Sequence, residues 1–123
     1  MSKDQNNNYD FTIYNKIFDY SQYVRTYIAV SIPNNNRDIR IHLLDEIYSL
    51  SKNMFYAIYN KGNIRMKHIV DMQINISLID MLTRQIQELK CVSKKNIDSS
   101  IKKLSDIKNI VYAWKYNEEE KKK

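Results

Sequence analysis

A chain of 123 residues has room for one domain with one core and none for a separate catalytic module. One glycine and one proline leave too few turning points for a sheet-rich fold, and a single cysteine excludes an internal disulfide and a cysteine-rich zinc site. A formal charge of +6, with a pI near 9.3, suits contact with a polyanion such as nucleic acid, although a basic balance alone is also that of many soluble proteins.

Residues 1–9 are polar, with three consecutive asparagines at Asn6–Asn8, and are expected to form a disordered tail without the apolar stretch of a signal peptide. The 18 isoleucines and ten tyrosines favour strands by propensity, so the helical assignment rests on spacing. From Asp10 to Ile32, the residues Ile13, Ile17, Tyr20, Val24, Tyr27 and Ser31 recur in steps of three and four and predict one buried stripe. Phe11, Tyr14, Phe18 and Ile32 fall well around the axis from that stripe, so this helix carries more apolar surface than one seam requires. Pro33 ends it, and Asn34–Asn36 supply polar residues able to cap the next.

A second helix is predicted from Arg37 to Asn60, with Ile39, Leu43, Ile47, Leu50, Met54 and Ile58 along one side and Leu44 and Phe55 widening it. Gly62 is placed as its stop and Asn63 as the cap of a third helix, Ile64 to Cys91, whose seam is Met72, Ile76, Ile79, Leu82, Ile86 and Leu89. Ser93 caps the last helix, Lys94 to Asn117, with Ile97, Ile101, Leu104, Ile107, Val111 and Trp114 as its seam and a charged tail over 118–123. Short links between long amphipathic helices predict an all-α, up-down-up-down antiparallel four-helix bundle over residues 10–117. No stretch approaches the roughly 20 apolar residues of a membrane span, so a soluble, cytoplasmic protein is expected, and the surplus apolar surface of the first helix predicts a homo-oligomer.

Between Lys90 and Lys115 seven lysines stand against two aspartates, concentrating most of the net charge on the last helix. Lys94, Lys95 and Lys102 project away from its seam, while Lys103, Lys108 and Lys115 flank it. Trp114 is assigned to the core, with Tyr112 and Tyr116 exposed beside it. Catalysis has one candidate, the Arg37-Asp38-x-x-x-His42 run, which resembles the motif of helical HEPN ribonucleases, where the Arg and His converge on RNA phosphate. His68 has no second histidine or cysteine at ligand spacing, Cys91 has no histidine nearby to act as base, and one glycine cannot build a phosphate loop. No metal, cofactor or catalytic residue is therefore expected.

The first helix running into Ala29-Val30-Ser31-Ile32-Pro33 and the last reaching Ile110-Val111-Tyr112-Ala113-Trp114 resemble the accessory variability determinant proteins of diversity-generating retroelements, over nearly all of Tyr14 to Tyr116. The resemblance implies a homopentameric four-helix bundle, itself performing no chemistry, whose basic exterior engages the retroelement reverse transcriptase and nucleic acid, either RNA or DNA. By position, Lys94, Lys95, Lys102 and Lys103 would form the nucleic-acid-binding surface, with Arg40, Arg65 and Arg84 as further candidates. A similar bundle family is encoded by intervening sequences in bacterial large-subunit ribosomal RNA genes, and the alternative is a structural, partner-binding oligomer of that type.

Overall fold

The computed structural model describes the backbone of residues 2–121 and the side chains of residues 10–121. The side chains of the tail expected over 1–9, and residues 122 and 123, lie outside the described residues. Four long helices account for nearly all of the described chain, and no strand occurs among the described residues: α1 (Ser2–Tyr23), α2 (Arg37–Tyr59), α3 (Gly62–Leu89) and α4 (Lys94–Glu120). α2 and α3 share the largest contact, followed by α3 with α4 and α1 with α4, whereas α1 and α2 touch sparingly. One core runs between them, formed by Ile13, Ile17 and Tyr20 of α1, Leu43, Ile47, Leu50 and Met54 of α2, Ile69, Met72, Ile79 and Ile86 of α3, and Ile97, Ile107, Val111 and Trp114 of α4.

The first helix does not run unbroken to Ile32. After Tyr23 the chain makes a π turn, Val24–Ile28, in which the Ala29 N–H donates to the Val24 carbonyl, and then a 3-10 turn, Ala29–Ser31. A π turn places one extra residue in a helix, so every side chain beyond it is turned by about 100° relative to an uninterrupted helix. The predicted seam fails at this point. Tyr27 and Ser31 face solvent, and Ile28 and Ile32, the latter assigned to the outer surface by spacing, are buried instead. Ile32 itself is extended (φ −81°, ψ 123°), the geometry that the following Pro33 requires.

Asn34–Asn36 form a 3-10 turn, and none of their side chains caps α2; the Asn36 N–H donates to the Pro33 carbonyl, 2.9 Å. Gly62 has φ +61° and opens α3 rather than stopping α2, which ends on the extended Asn60. The residue before α3 is the extended Lys61, so Asn63 lies inside the first turn instead of capping it. α3 closes on Lys90, which takes the left-handed conformation (φ 57°, ψ 29°) usually reserved for glycine. Ser93 caps α4 as its position predicts, its Oγ accepting from the Asn96 N–H at 3.2 Å.

α4 extends to Glu120 because Glu118 is drawn into the end of the bundle. Its carboxylate accepts from Arg65 Nη1 and from Lys121 Nζ, each at 3.0 Å. Arg65 in turn donates to the Ala57 carbonyl (2.8 Å) and the Ile58 carbonyl (3.3 Å) at the end of α2, and its guanidinium sits 5.6 Å from the Trp114 ring centre. One buried ion pair thus ties α2, α3 and α4 together.

Candidate nucleic-acid interface

α4 is amphipathic, and the positions opposite its core seam carry the cations. Lys94, Lys95 and Lys102 are exposed. Lys94 is held by Asp98 one turn on, at 2.8 Å, and this hydrogen bond, with the aspartate's charge, raises the ammonium pKa above its ordinary value. Lys95 and Lys102 form no ion pair among the described residues, and neither does Lys108. Lys95 and Lys102 are seven residues apart, which sets them on one side of the helix about two turns, or ~10.5 Å, from each other. Lys103 is half-buried, with its Nζ 5.2 Å from the Tyr23 ring centre, so it is positioned by an aromatic face of the α1 end as well as by solvent.

The three arginine candidates separate. Arg84 is exposed on α3 and paired to Asp80 at 3.0 Å. Arg40 is half-buried and donates through Nη1 to the Ile32 carbonyl at 2.9 Å, bracing the irregular end of the first helix. Arg65 is only 3% exposed and its donors are spent on Glu118 and two backbone carbonyls, so it is withdrawn from any surface. Seven-residue spacing could not reveal this: an arginine on the core side of a helix is legible as buried only once its acidic partner, 53 residues away, is in place.

α3 and α4 are also the walls of a cleft of about 440 Å³. Ile76, Ile101 and Leu104 form its apolar floor, Ser77, Ser105 and Gln73 its rim, and Asp80, Arg84 and Lys108 its charged groups. Apart from the charges, sequence reasoning missed this site. The available signal was the run of polar residues Gln73, Ser77, Asp80 and Arg84 at steps of four, three and four, directly beside the α3 seam.

The polar cluster around Asn75 is satisfied within the fold. Asn75, buried, donates through Nδ2 to Glu46 Oε1 (2.6 Å) and Ser49 Oγ (3.1 Å) and accepts from Asn53 Nδ2 (2.8 Å). With Asn53 oriented in this way its Oδ1 accepts from His68 Nδ1 at 3.0 Å, and the imidazole stacks on Tyr56 with ring centres 4.6 Å apart. His68 is thereby absorbed into the α2–α3 contact. Arg37, Asp38 and His42 are all exposed in the first two turns of α2. Cys91 is half-buried against the core edge, and among the described residues no group of three or more His, Cys, Asp or Glu side chains is placed to hold a metal.

A second surface is aromatic. Phe11, Tyr14 and Phe18 of α1 and Phe55 and Tyr59 of α2 are exposed, with Tyr14 against both Phe18 and Phe55 (ring centres 6.1 Å apart in each case) and Phe55 stacked on Tyr59. It lies where α1 and α2 meet sparingly. No helix among the described residues is long and apolar enough to cross a membrane. Comparison with protein-family models, with curated proteins and with solved structures returns no match.

Proposed function

We propose that this chain is a non-catalytic nucleic-acid-binding accessory of a retroelement reverse transcriptase, built as an up-down-up-down antiparallel bundle that assembles into a homopentamer and works in the cytoplasm. The observation that carries the reading is the outer side of α4, where Lys95 and Lys102 stand exposed and, among the described residues, without acidic partners, beside Lys94 and Lys103. Ammonium groups held on a rigid helix neutralise phosphates whatever the base sequence, and repetition around an oligomer multiplies the field. The resemblance to the accessory variability determinant proteins supplies the partner enzyme and the number of subunits. The exposed aromatic residues of α1 and α2 support self-association, because a contiguous apolar patch of this kind is unusual on a protein that remains single.

The test is a titration of labelled RNA and DNA against salt. Binding weakens with a log–log slope of roughly 0.7 per phosphate contact on single strands and 0.9 on duplex DNA, and Lys95→Glu with Lys102→Glu lowers that slope by about two. Unchanged binding in the double variant refutes the surface. Light scattering with Phe18→Glu tests the assembly, which should fall to single chains.

A structural oligomer of the ribosomal intervening-sequence type is the second reading, favoured by the same aromatic surface. It predicts an intact assembly with no salt-dependent affinity for nucleic acid.

A further inference from the structure

The cleft between α3 and α4 differs from the lysine face in having a floor. Phosphate neutralisation needs only cations in water, and an apolar floor adds nothing to it. Here Ile76 and Leu104 are almost fully buried and Ile101 half-buried, yet all three border the same recess. Around them stand groups of mixed hydrogen-bonding character. Ser77 and Ser105 can donate and accept, Gln73 can do both through its amide, and the Asp80 carboxylate can only accept. Arg84 is paired to Asp80 at 3.0 Å, which leaves Lys108 as the surplus cation, so the recess is net positive. A flat, apolar-faced ring with polar edges and an attached phosphate matches each of these in turn.

We infer that the α3–α4 cleft receives one unpaired nucleotide of a single-stranded nucleic acid. The base lies against Ile76, Ile101 and Leu104. Its edge meets Ser77, Ser105 and Gln73, with the second oxygen of Asp80, whose first is held by Arg84, accepting from an exocyclic amino group, and Lys108 faces the phosphate. The volume, about 440 Å³, is in the range of roughly 300 to 1,000 Å³ typical of small-molecule sites, room for one nucleotide, and a base stacked and paired within a duplex cannot turn its face into the recess. Duplex can therefore use the α4 lysines but not the cleft. This inference rests on the nucleic-acid reading above and adds to it a preference for unpaired strands.

The experiment compares a fluorescently labelled single-stranded oligonucleotide, the same sequence as a duplex, and a free nucleoside monophosphate, each titrated with the full chain. Two variants fill the cleft from opposite walls: Ser105→Trp from α4 and Ser77→Phe from α3, both at exposed positions. Circular dichroism establishes that each folds, and one folded variant suffices. The expected result is that filling the cleft weakens single-strand binding on the order of tenfold, while duplex binding and its salt slope stay as in the parent. If a folded, filled variant binds the single strand as the parent does, the cleft assignment is overturned while salt-dependent binding by the α4 lysines still stands. If the mononucleotide binds as tightly as the strand, the site is one for free nucleotides and the inference is likewise overturned. No binding of any nucleic acid by the parent chain removes the proposed function itself.

Discussion

Arg65 of α3 and Glu118 of α4, separated by 53 residues in the chain, meet at 3.0 Å with both side chains buried. The pair converts what looks like the start of a charged tail into part of the fold. Its two ends are also anchored independently, Arg65 by the carbonyls of Ala57 and Ile58 and Glu118 by Lys121.

Removing one partner leaves the other charge buried and uncompensated. Glu118→Ala is expected to cost about 3 kcal/mol, whereas replacing both together, Arg65→Met with Glu118→Leu, should cost much less because neither charge remains to be desolvated. Urea denaturation of the two single variants and the double variant measures the difference, and additive losses would contradict the coupling.

The same site sets a pH dependence. Burial pushes the Glu118 carboxyl up, but hydrogen bonds and charge from Lys121 and Arg65 outweigh it and hold the group below its ordinary value of 4.5. A carboxyl with a depressed folded-state pKa adds stability that is complete above its unfolded value and is lost as pH falls through the folded one. Acid unfolding should therefore be shallower in Glu118→Gln. Asp10 has the opposite sign: burial raises its carboxyl above the ordinary 3.8 against the opposing charge of Arg65, so its ionisation opposes folding as pH rises. Asp10→Asn should stabilise the protein at neutral pH and not below the carboxylate range, as thermal melts at the two pH values would show.

Tyr20 is fully buried near Thr83 and Ser100, and among the described residues its hydroxyl makes no hydrogen bond of ordinary geometry. Burial pushes its pKa up to about 12, only partly relieved by the two neighbouring hydroxyls. Deleting an unsatisfied buried hydroxyl removes its desolvation cost, so Tyr20→Phe is expected to raise stability by about 1 kcal/mol. A lower melting temperature in that variant would show that the hydroxyl is satisfied after all.

Lys90 is exposed and holds φ at +57°, a conformation that costs a residue with a Cβ roughly 1 to 2 kcal/mol. Lys90→Gly should recover about 1 kcal/mol, offset in part by the greater freedom of glycine in the unfolded chain. Chemical denaturation gives the sign directly.

The helices were legible because their seams are long and repetitive: Leu43, Ile47, Leu50 and Met54 in α2, and Met72, Ile76, Ile79, Leu82 and Ile86 in α3, are buried as their spacing predicts. The exposed lysines of α4 were legible for the same reason, being the other side of a clear stripe. Features that depend on partners distant in the chain were not. Arg65 reads as one more basic residue until Glu118 is beside it, and the cleft needs α3 and α4 side by side, with the small Ser77 and Ser105 both on its lining. The π turn is hidden for a different reason, since apolar residues at Val24, Tyr27, Ile28 and Ile32 satisfy both an uninterrupted helix and a broken one.

That π turn makes the first helix a two-part rod with a fixed offset. Upstream of Val24 the inward residues are Ile13, Ile17 and Tyr20, while downstream Tyr27 and Val30 are swung outward and Ile28, Ala29 and Ile32 inward. Wound as an uninterrupted α-helix, the same residues would turn Tyr27 and Ser31 toward the positions Ile28 and Ile32 now hold, whereas deleting one residue from 24–28 would straighten the helix and leave both isoleucines facing the core. The inserted residue is thus a mechanical phase shifter, deciding which aromatic groups the molecule presents near the Pro33 corner without any change in the identity of the groups themselves.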